Sequence, residues 1–424
     1  MEGDMKQVTA ILIGAGQRGA DAYATYALRY PNELKFVAVA EPREDRRQEF
    51  QTLHGISEEN CASDWRELLE RPKFADCVLI CTQDKMHFEP LKLAAQKGYD
   101  ILCEKPITPD KEELLAIRQL AMEYDGIISV AHVLRYSPFF TKIKELLAEG
   151  RIGSLMNIQH MECVGYWHMA HSFVRGNWRN SSESCPMILA KCCHDFDILL
   201  WLVDADCKSV SSFGNRSLFC EERAPEGAPQ YCMDGCAHRD ACPYYAPRFY
   251  LEHPKAKEDG FRRVVTMDDT DAGLLDALKS GPYGRCVYHC DNDVADHQIV
   301  NMEFEGGVTV SLTMSAFTDR CERIIRLQGS HGQISGWMED NRIEVVDFAT
   351  GQKTVIDLNA PSGGHSGSDA AMMKQFVRMI AQKDKEHNLS SAVSAVDSHL
   401  IALAAEKSRK HGGASVALEE FRAE

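Results

Sequence analysis

The sequence predicts an α/β protein that opens with a doubly wound parallel sheet. Three observations predict this fold class. A glycine-rich turn follows the first apolar run, strand-length apolar runs alternate with helical segments over the first third of the chain, and 424 residues exceed the usual size of one hydrophobic core. We therefore expect two domains, residues 1–135 and residues 136–424.

The composition is that of an ordinary globular protein, with 44% hydrophobic and 26% charged residues. A net charge of −16 argues against nucleic acid or an anionic membrane as a partner, because both bind basic surfaces. The N-terminal apolar run is too short for a secretory signal and no transmembrane span is evident, which predicts a cytoplasmic protein. The sixteen cysteines are scattered, often within apolar runs such as CVLIC (77–81), as expected of reduced thiols.

The first apolar run, VTAILI, leads into a turn with the pattern G-x-G-x-x-G. Gly14 permits the tight turn, Gly16 lets the backbone approach a pyrophosphate, and Gly19 lets the following helix pack on the strand. Gln17 and Arg18 lie inside the motif and are further candidate cofactor contacts. A glycine turn that binds no ligand is the alternative interpretation.

An acidic residue follows the second predicted strand, KFVAVA. This residue, Glu41, stands 22 positions after Gly19. A carboxylate at this place accepts hydrogen bonds from the ribose hydroxyls of an adenosine and repels a 2′-phosphate, which favours NAD over NADP. Arg43 lies nearby and leaves NADP open as an alternative.

The alternation continues through the first third of the chain. We predict strands at 77–81, 100–106 and 127–132 and helices at 87–98 and 109–125. Thr82, Glu104, Lys105 and His132 fall at or just beyond strand ends, where a doubly wound sheet binds its ligand. Lys105 precedes Pro106, which restricts the backbone and favours a lysine that faces a nicotinamide over a solvated rim charge.

Three motifs accompany the glycine turn: T-x4-H (Thr82, His87), E-K-P (Glu104–Pro106) and H-x2-R-Y-S-P-F (His132, Arg135–Phe139). With them the chain resembles the Gfo/Idh/MocA family of oxidoreductases. The resemblance implies an N-terminal Rossmann domain and a C-terminal α/β domain whose open, largely antiparallel sheet carries substrate and oligomer contacts. It also implies that Lys105 lies near nicotinamide and substrate, that the chain forms a homo-oligomer, and that the cofactor contacts include Thr82, His87, Glu104 and Arg135.

The segment ILAKCCHDFDIL (188–199) has apolar spacing that predicts one helix. In many dehydrogenases of the family such a helix carries D-x-x-x-H; His194 matches the histidine, whereas Ala190 stands at the aspartate position. Lys191 and His194 are three residues apart and share a helix face, so the cation would favour a neutral imidazole and keep His194 a base. Alternatively, Lys191 orients a substrate, or the helix is plain core. Adjacent helical cysteines point about 100° apart, which disfavours a metal there.

The second domain contains several candidate substrate contacts. The aromatic stretch YWHMAHSFVRGNW (166–178) is interpreted as a loop that forms a substrate wall or, alternatively, a subunit interface. Residues 284–317 alternate like strands, with a turn at Gly306–Gly307. The candidate substrate residues are Tyr166, Trp167, His168, Arg175, Trp178, His289, His297 and His365.

A cysteine-rich insertion at about 219–250 suggests a structural metal site. Cys232, Cys236 and Cys242 are closely spaced in a segment rich in proline and glycine, and Cys220 or His238 would supply the fourth ligand. Zinc is the simplest choice and an iron–sulfur cluster the second. Three free cysteines in an insertion are the alternative.

Together these features predict an NAD-dependent enzyme that oxidises a secondary hydroxyl of a sugar, polyol or glycoside. His194 would remove the hydroxyl proton, and Lys105 would stabilise the developing alkoxide. One alternative is a redox-neutral glycoside hydrolase that oxidises C3, eliminates the aglycone, adds water and reduces the product. Another is a non-catalytic NAD-binding regulator, against which the presence of Lys105 and His194 argues.

Overall fold

The computed structural model describes residues 6–268, 270–359 and 367–424. The chain divides into two compact units. The first consists of Met1–Ser154, Cys193–Ala205 and Asn341–Leu403, and the second of Leu155–Cys192, Asp206–Asp340 and Ala404–Glu424. Each unit therefore combines segments that are far apart in the sequence, and no single boundary separates the two.

The described strands are numbered in chain order. They are β1 (Val8–Ile13), β2 (Leu34–Ala40), β3 (Cys61–Ala62), β4 (Cys77–Ile80), β5 (Asp100–Cys103), β6 (Ile128–Val130), β7 (Leu155–Cys163), β8 (Cys207–Asn215), β9 (His297–Phe304), β10 (Thr309–Ser315), β11 (Glu322–Gly329), β12 (Gly332–Trp337), β13 (Arg342–Asp347), β14 (Lys353–Asp357) and β15 (Val416–Ala417).

The described α-helices are α1 (Thr25–Arg29), α2 (Glu44–His54), α3 (Arg66–Leu69), α4 (Phe88–Gln96), α5 (Lys111–Glu123), α6 (Pro138–Ala148), α7 (Tyr166–His168), α8 (Met187–Ala190), α9 (Cys193–Val203), α10 (Ala246–Glu252), α11 (Pro254–Glu258), α12 (Phe261–Val265), α13 (Asp271–Ser280), α14 (Ser368–Gln382), α15 (Ala392–Lys410) and α16 (Leu418–Ala423). Two π-helical turns, Gln17–Tyr23 and Met169–Arg175, accompany them. Within the described ranges, no helix is both long and apolar enough to cross a membrane.

The first unit is built on a six-stranded sheet in the order β3-β2-β1-β4-β5-β6, with every pair parallel. Ile13 pairs with Ala40 on one side and with Ile80 on the other, so the strand order reverses next to β1. Strand β4 is entirely buried, as expected for a parallel sheet covered on both faces. The predicted doubly wound parallel sheet is thereby confirmed, and its switch point lies at the carboxyl end of β1.

Local chemistry explains where two of its helices begin. The Asp110 side chain accepts a hydrogen bond from the Glu113 N–H and caps α5. Ser137 caps α6 in the same way through the Phe140 N–H, and Pro138 occupies the first helical position, where its missing donor has no cost.

The second unit contains a sheet in the order β12-β11-β7-β10-β9-β8-β15. Strands β7 and β10 are parallel, and the neighbouring pairs are antiparallel. Along β9 and β10 buried residues alternate with residues that are exposed or half-buried, so one face of the sheet is packed and the other is open. This confirms the expected open, largely antiparallel sheet. Strands β13 and β14 form an antiparallel hairpin that is part of the first unit.

The segment 188–199 is not one helix. Helix α8 ends at Ala190 and α9 begins at Cys193, so Lys191 and His194 do not belong to one continuous helix. Apolar spacing cannot reveal this break, because the spacing continues across it. The predicted shared face of Lys191 and His194 is therefore wrong.

Two further predictions differ from the structure. The stretch 166–178 is helical over most of its length, through α7 and the turn Met169–Arg175, rather than a loop. Residues 284–296 form no strand; the segment contributes one isolated bridge, Tyr231 to Arg285, and the predicted hairpin reduces to β9 and β10.

Candidate active site

The turn after β1 has the geometry expected of a phosphate-binding turn. Gly14 has φ +89°, and a Cβ there would lie 2.5 Å from the Cys81 carbonyl oxygen; a Cβ at Gly19 would lie 2.2 Å from the Gly14 oxygen. By contrast, a Cβ at Gly16 would meet only the Arg46 guanidinium, at 3.6 Å. Two glycines are therefore required by protein packing, while the third leaves open space where a pyrophosphate approaches the backbone.

Glu41 is held next to this turn. Its carboxylate oxygens accept hydrogen bonds from the Ala15 N–H at 2.8 Å and the Arg43 N–H at 3.0 Å. Each oxygen has a further lone pair, which suits two ribose hydroxyls. The Arg43 guanidinium binds Asp45 at 2.6 Å, so its charge is already compensated. These residues fit an adenosine ribose without a 2′-phosphate.

Arg18 and Glu104, both expected to contact the cofactor, belong to a buried polar cluster. Arg18 binds Asp369 at 2.7 Å and the Tyr23 hydroxyl at 2.6 Å, and it lies 3.7 Å from Glu104. The Tyr23 hydroxyl donates a short hydrogen bond to Glu104, and burial raises the pKa of Tyr23. The cluster links Arg18, in the glycine turn after β1 (the nucleotide turn), to Glu104, the residue before Lys105. Gln17, the other candidate in this turn, is exposed.

His87 was expected to contact the cofactor, and its surroundings correct this. The imidazole is fully buried, with Nδ1 2.9 Å from the Pro106 carbonyl oxygen and Nε2 3.0 Å from the Thr82 carbonyl oxygen. Both ring nitrogens are therefore engaged by the backbone, which leaves none for a ligand. The Thr82 hydroxyl donates to the Met86 carbonyl at 3.2 Å.

Lys105 and His194 lie in one histidine-rich region of the first unit. His194 is 3% exposed, and its ring centroid is 5.7 Å from that of His132, with the rings nearly perpendicular. His132 lies 5.5 Å from His399 in turn. Burial lowers the pKa of His132 well below its usual value, and the charges of Arg135 and Lys105 act in the same direction.

The charge of Lys105 acts on Cys193, the first residue of α9. Burial raises the pKa of Cys193 to about 12, and the Lys105 ammonium opposes that shift. Cys193 directly precedes His194, so the charge of Lys105 acts next to the imidazole on α9.

Arg135, expected to contact the cofactor, instead anchors the helix that carries His194. Its guanidinium binds both oxygens of Asp197 at 2.7 and 2.8 Å, and it donates to the Leu389 carbonyl at 2.7 Å. Asp197 is fully buried, and burial raises its pKa while Arg135 opposes the rise. Arg135 is thus a structural partner of α9. Sequence reasoning missed Asp197, although its place three residues after His194 was a signal.

Lys191 has a partner that the sequence did not suggest. Its ammonium lies 3.1 Å from one oxygen of Glu162 on β7, whose other oxygen lies 2.9 Å from Arg323 on β11. Burial disfavours the charge of Lys191, but Glu162 outweighs it and keeps the pKa above its usual value. Glu339 accepts the Arg323 N–H at 2.7 Å, and burial raises its pKa to about 7. Lys191 is therefore part of a buried ion network in the second unit.

The candidate substrate residues do not form one wall. Trp167 is 5% exposed and packs in an aromatic core with Phe249 and Phe261. Arg175 is buried and donates to the carbonyl oxygens of Arg285 and Tyr244, each at 2.7 Å. These two predictions are corrected, because both side chains are buried, Trp167 among aromatic rings and Arg175 against backbone carbonyl oxygens.

The remaining substrate candidates are scattered. Tyr166 and His168 are half-buried, and His168 Nδ1 lies 3.5 Å from the Cys321 thiol. Trp178 is 36% exposed. His289 Nε2 donates to the Ala228 carbonyl at 3.1 Å, and the His297 ring binds Asp296 at 2.7 Å. His365 lies outside the described residues.

Two of the predicted metal ligands have other partners. His238 Nε2 donates to the Glu226 carbonyl at 2.8 Å, and Cys220 interacts with Glu222 and Arg216 instead of the other thiols. Cys232, Cys236 and Cys242 lie near one another and near Cys286 and Cys290, two cysteines the sequence analysis did not consider. Across the described ranges, however, no group of three His, Cys, Asp or Glu side chains is arranged to hold a metal ion. The predicted zinc or iron–sulfur site is not supported.

The chain is similar to known oxidoreductases over nearly its whole length. Residues 8–132 match the family model described as oxidoreductase family, NAD-binding Rossmann fold, and residues 144–418 match that of the C-terminal α/β domain. Oxidoreductase YteT of Bacillus subtilis is 23% identical over 345 residues, 74% of this chain and 78% of YteT. Inositol 2-dehydrogenase 4 of Saccharopolyspora erythraea is 30% identical over 223 residues, 51% of this chain and 59% of that protein.

A solved structure of levoglucosan dehydrogenase with NADH and levoglucosan superposes with a TM-score of 0.71 at 17% identity, covering 97% of this chain and 99% of that one. At this identity the likeness shows the fold alone. The parallel sheet with its glycine turn, the Lys105 segment and the two family matches agree with one another. This chain belongs to the Gfo/Idh/MocA family of NAD-binding oxidoreductases.

Proposed function

We propose that the protein is an NAD-dependent dehydrogenase that oxidises a secondary hydroxyl of a sugar or polyol. The observation that carries the proposal is that His194 lies beside His132, an imidazole on which the charge of Lys105 acts, in the unit that holds the glycine turn after β1. The relatives named above act on inositol, a polyol, and levoglucosan, a sugar derivative, which supports this substrate class. NAD, when bound, supplies the hydride acceptor.

The chain's own residues would handle the proton and the developing charge. His194, 3% exposed, would take the hydroxyl proton as general base. Lys105 would donate a hydrogen bond to the substrate oxygen and stabilise the charge that develops on it. Arg135 and Asp197 would hold α9, and hence His194, in place.

A substrate panel tests the proposal. Purified protein is incubated with NAD and with inositols, free sugars or aryl glycosides, while NADH absorbance and aglycone release are followed together. A dehydrogenase produces NADH in proportion to the substrate oxidised. Aglycone release without net NADH would contradict the proposal and favour the hydrolase alternative, which none of the relatives named above supports.

The nucleotide preference is a direct consequence of Glu41. We expect NAD to bind at least about tenfold more tightly than NADP, because a 2′-phosphate facing this carboxylate costs more than about 1.4 kcal/mol. Calorimetry of both nucleotides checks this. The variant Asp45→Asn releases the Arg43 guanidinium and should narrow the preference, whereas equal affinities in the unmodified protein would contradict the role of Glu41.

We also propose that two copies of the chain associate through the open face of the second sheet. Cross-strand partners place a row of five apolar side chains and one threonine across six strands of this face: Phe213, Ile299, Thr313, Met161, Ile324 and Trp337. Phe213 is 58% exposed and Ile299 44% exposed. A largely apolar row on an exposed sheet is typical of an interface, and a second copy carries the same self-complementary surface.

The variant Ile299→Lys tests this association. A charge within the row should shift the oligomer to monomer in light scattering after size exclusion, because a buried unpaired ammonium strongly disfavours the interface. Leu53→Lys, at a 55% exposed leucine of α2, is the matched control and should leave the mass unchanged. An unmodified protein that is monomeric at all concentrations tested would contradict the proposed interface.

A further inference from the structure

The peptide group between Pro106 and Ile107 is held at both ends by buried histidines. Nδ1 of His87 lies 2.9 Å from its carbonyl oxygen, and its N–H donates to Nε2 of His399 at 2.9 Å. Both imidazoles have 0% exposed surface. This peptide group directly follows Lys105 and Pro106, so the two rings act on the segment that carries the candidate catalytic lysine.

The other contacts of the His399 and His87 imidazoles indicate which ring nitrogen donates and which accepts. His399 Nδ1 donates to the Ala395 carbonyl at 2.7 Å, and burial lowers its pKa to about 3; the ring is therefore neutral, with a lone pair on Nε2 for the Ile107 N–H. His87 Nδ1 also lies 3.2 Å from the Ile107 carbonyl, and its Nε2 faces the Thr82 carbonyl. Carbonyl oxygens only accept, so a hydrogen bond between His87 and Pro106 has the His87 ring as its donor, whereas His399 is the acceptor for the Ile107 N–H. We call this pair of histidine contacts the clamp, with His87 on its donor side and His399 on its acceptor side.

We propose that His87 and His399 are positioning residues that orient the Lys105 ammonium toward the reacting oxygen. The inference rests on the proposed function. A lysine amine can be delivered to one place only if the backbone beneath it is fixed, and a displacement of about 1 Å at a reacting centre lowers turnover by about 10²-fold. His87, the residue directly before α4, and His399 on α15 contact this backbone from two separate places in the sequence.

Amide exchange and lysine reactivity test the clamp without any substrate. In His399→Leu we expect exchange at the Ile107 amide to rise roughly tenfold, because its acceptor is lost, and the rate of Lys105 modification by trinitrobenzenesulfonate to change. His399→Gln, whose amide oxygen replaces Nε2, should restore both values. For His87, the variant His87→Leu removes the ring nitrogens that face the carbonyl oxygens, and His87→Asn supplies an amide that can donate in their place. His54→Leu, on α2 against Phe50, is the control and should alter neither value.

Turnover then links the clamp to the reaction. With an active substrate, both leucine variants should lose about 10- to 100-fold in kcat per folded molecule, keep their NAD affinity, and recover in the glutamine and asparagine variants. Unchanged Lys105 reactivity despite faster Ile107 exchange would overturn the proposal, as would leucine variants with normal kcat. If the exchange and reactivity results hold but no hydroxyl is oxidised, the clamp stands and the proposed function fails.

Discussion

Replacing His194 by alanine should lower turnover by about 10²–10⁴-fold while NAD still binds with its normal affinity. The expected loss is the contribution of a positioned general base. Cofactor affinity should persist because the glycine turn follows β1 and Glu41 follows β2, so that neither belongs to α9. Initial rates of NADH formation check the loss of turnover, and the calorimetric Kd for NAD checks the unchanged cofactor affinity. Both values are expressed per folded molecule.

A second variant on the same helix separates chemistry from packing. Leu199 is fully buried, so Leu199→Ala should lower the free energy of unfolding by about 2–5 kcal/mol through the cavity it leaves. Its turnover per folded molecule should stay close to that of the unmodified protein. If His194→Ala behaves like Leu199→Ala, α9 is only core. Normal turnover in His194→Ala would rule out this base, and His132, the neighbouring imidazole, would be examined next.

Replacing Glu162 by glutamine should lower the free energy of unfolding by about 3–5 kcal/mol. Its carboxylate is buried and contacts two cations, Lys191 at 3.1 Å and Arg323 at 2.9 Å. Removing the anion leaves both cations in a poorly solvated place, and breaking a buried ion pair from one side carries a cost of this size. Urea denaturation followed by circular dichroism measures this loss: the midpoint concentration of urea should fall, while the slope of the free energy of unfolding against urea concentration stays the same.

Two comparison variants define how this loss arises. Lys191→Met should lower the free energy of unfolding by less than Glu162→Gln does, because Glu162 then retains Arg323 as a partner. Since Glu162 already balances the charge of Lys191, the same variant should leave the pH dependence of turnover unchanged. Glu145→Gln breaks the exposed pair with Lys142 and should have no measurable effect. A Glu162→Gln protein as stable as the Glu145→Gln protein would contradict the buried network.

The sequence alone was sufficient for the features that depend on neighbouring residues. The structure has three features where the local pattern predicts them: the glycine turn directly after β1, Glu41 next to that turn, and Lys105 just after β5. The turn contains Gly14, Gly16 and Gly19. Turn geometry, strand and helix periodicity and the ends of parallel strands are encoded within about twenty residues, so a local pattern is enough to predict them. The catalytic role of His194 stays a prediction that the first experiment tests.

Only the tertiary structure decided which charged and polar groups pair. Arg135 meets Asp197 across 62 positions, Arg18 meets Asp369 across 351, and Ile107 meets His399 across 292. No local pattern contains such a partner, because a buried charge or donor is satisfied by whichever group the fold brings within hydrogen-bonding distance. For the same reason Lys191, interpreted from its sequence neighbours as the partner of His194, instead binds Glu162 on β7, since the break between α8 and α9 ends the helix that the local pattern had assumed.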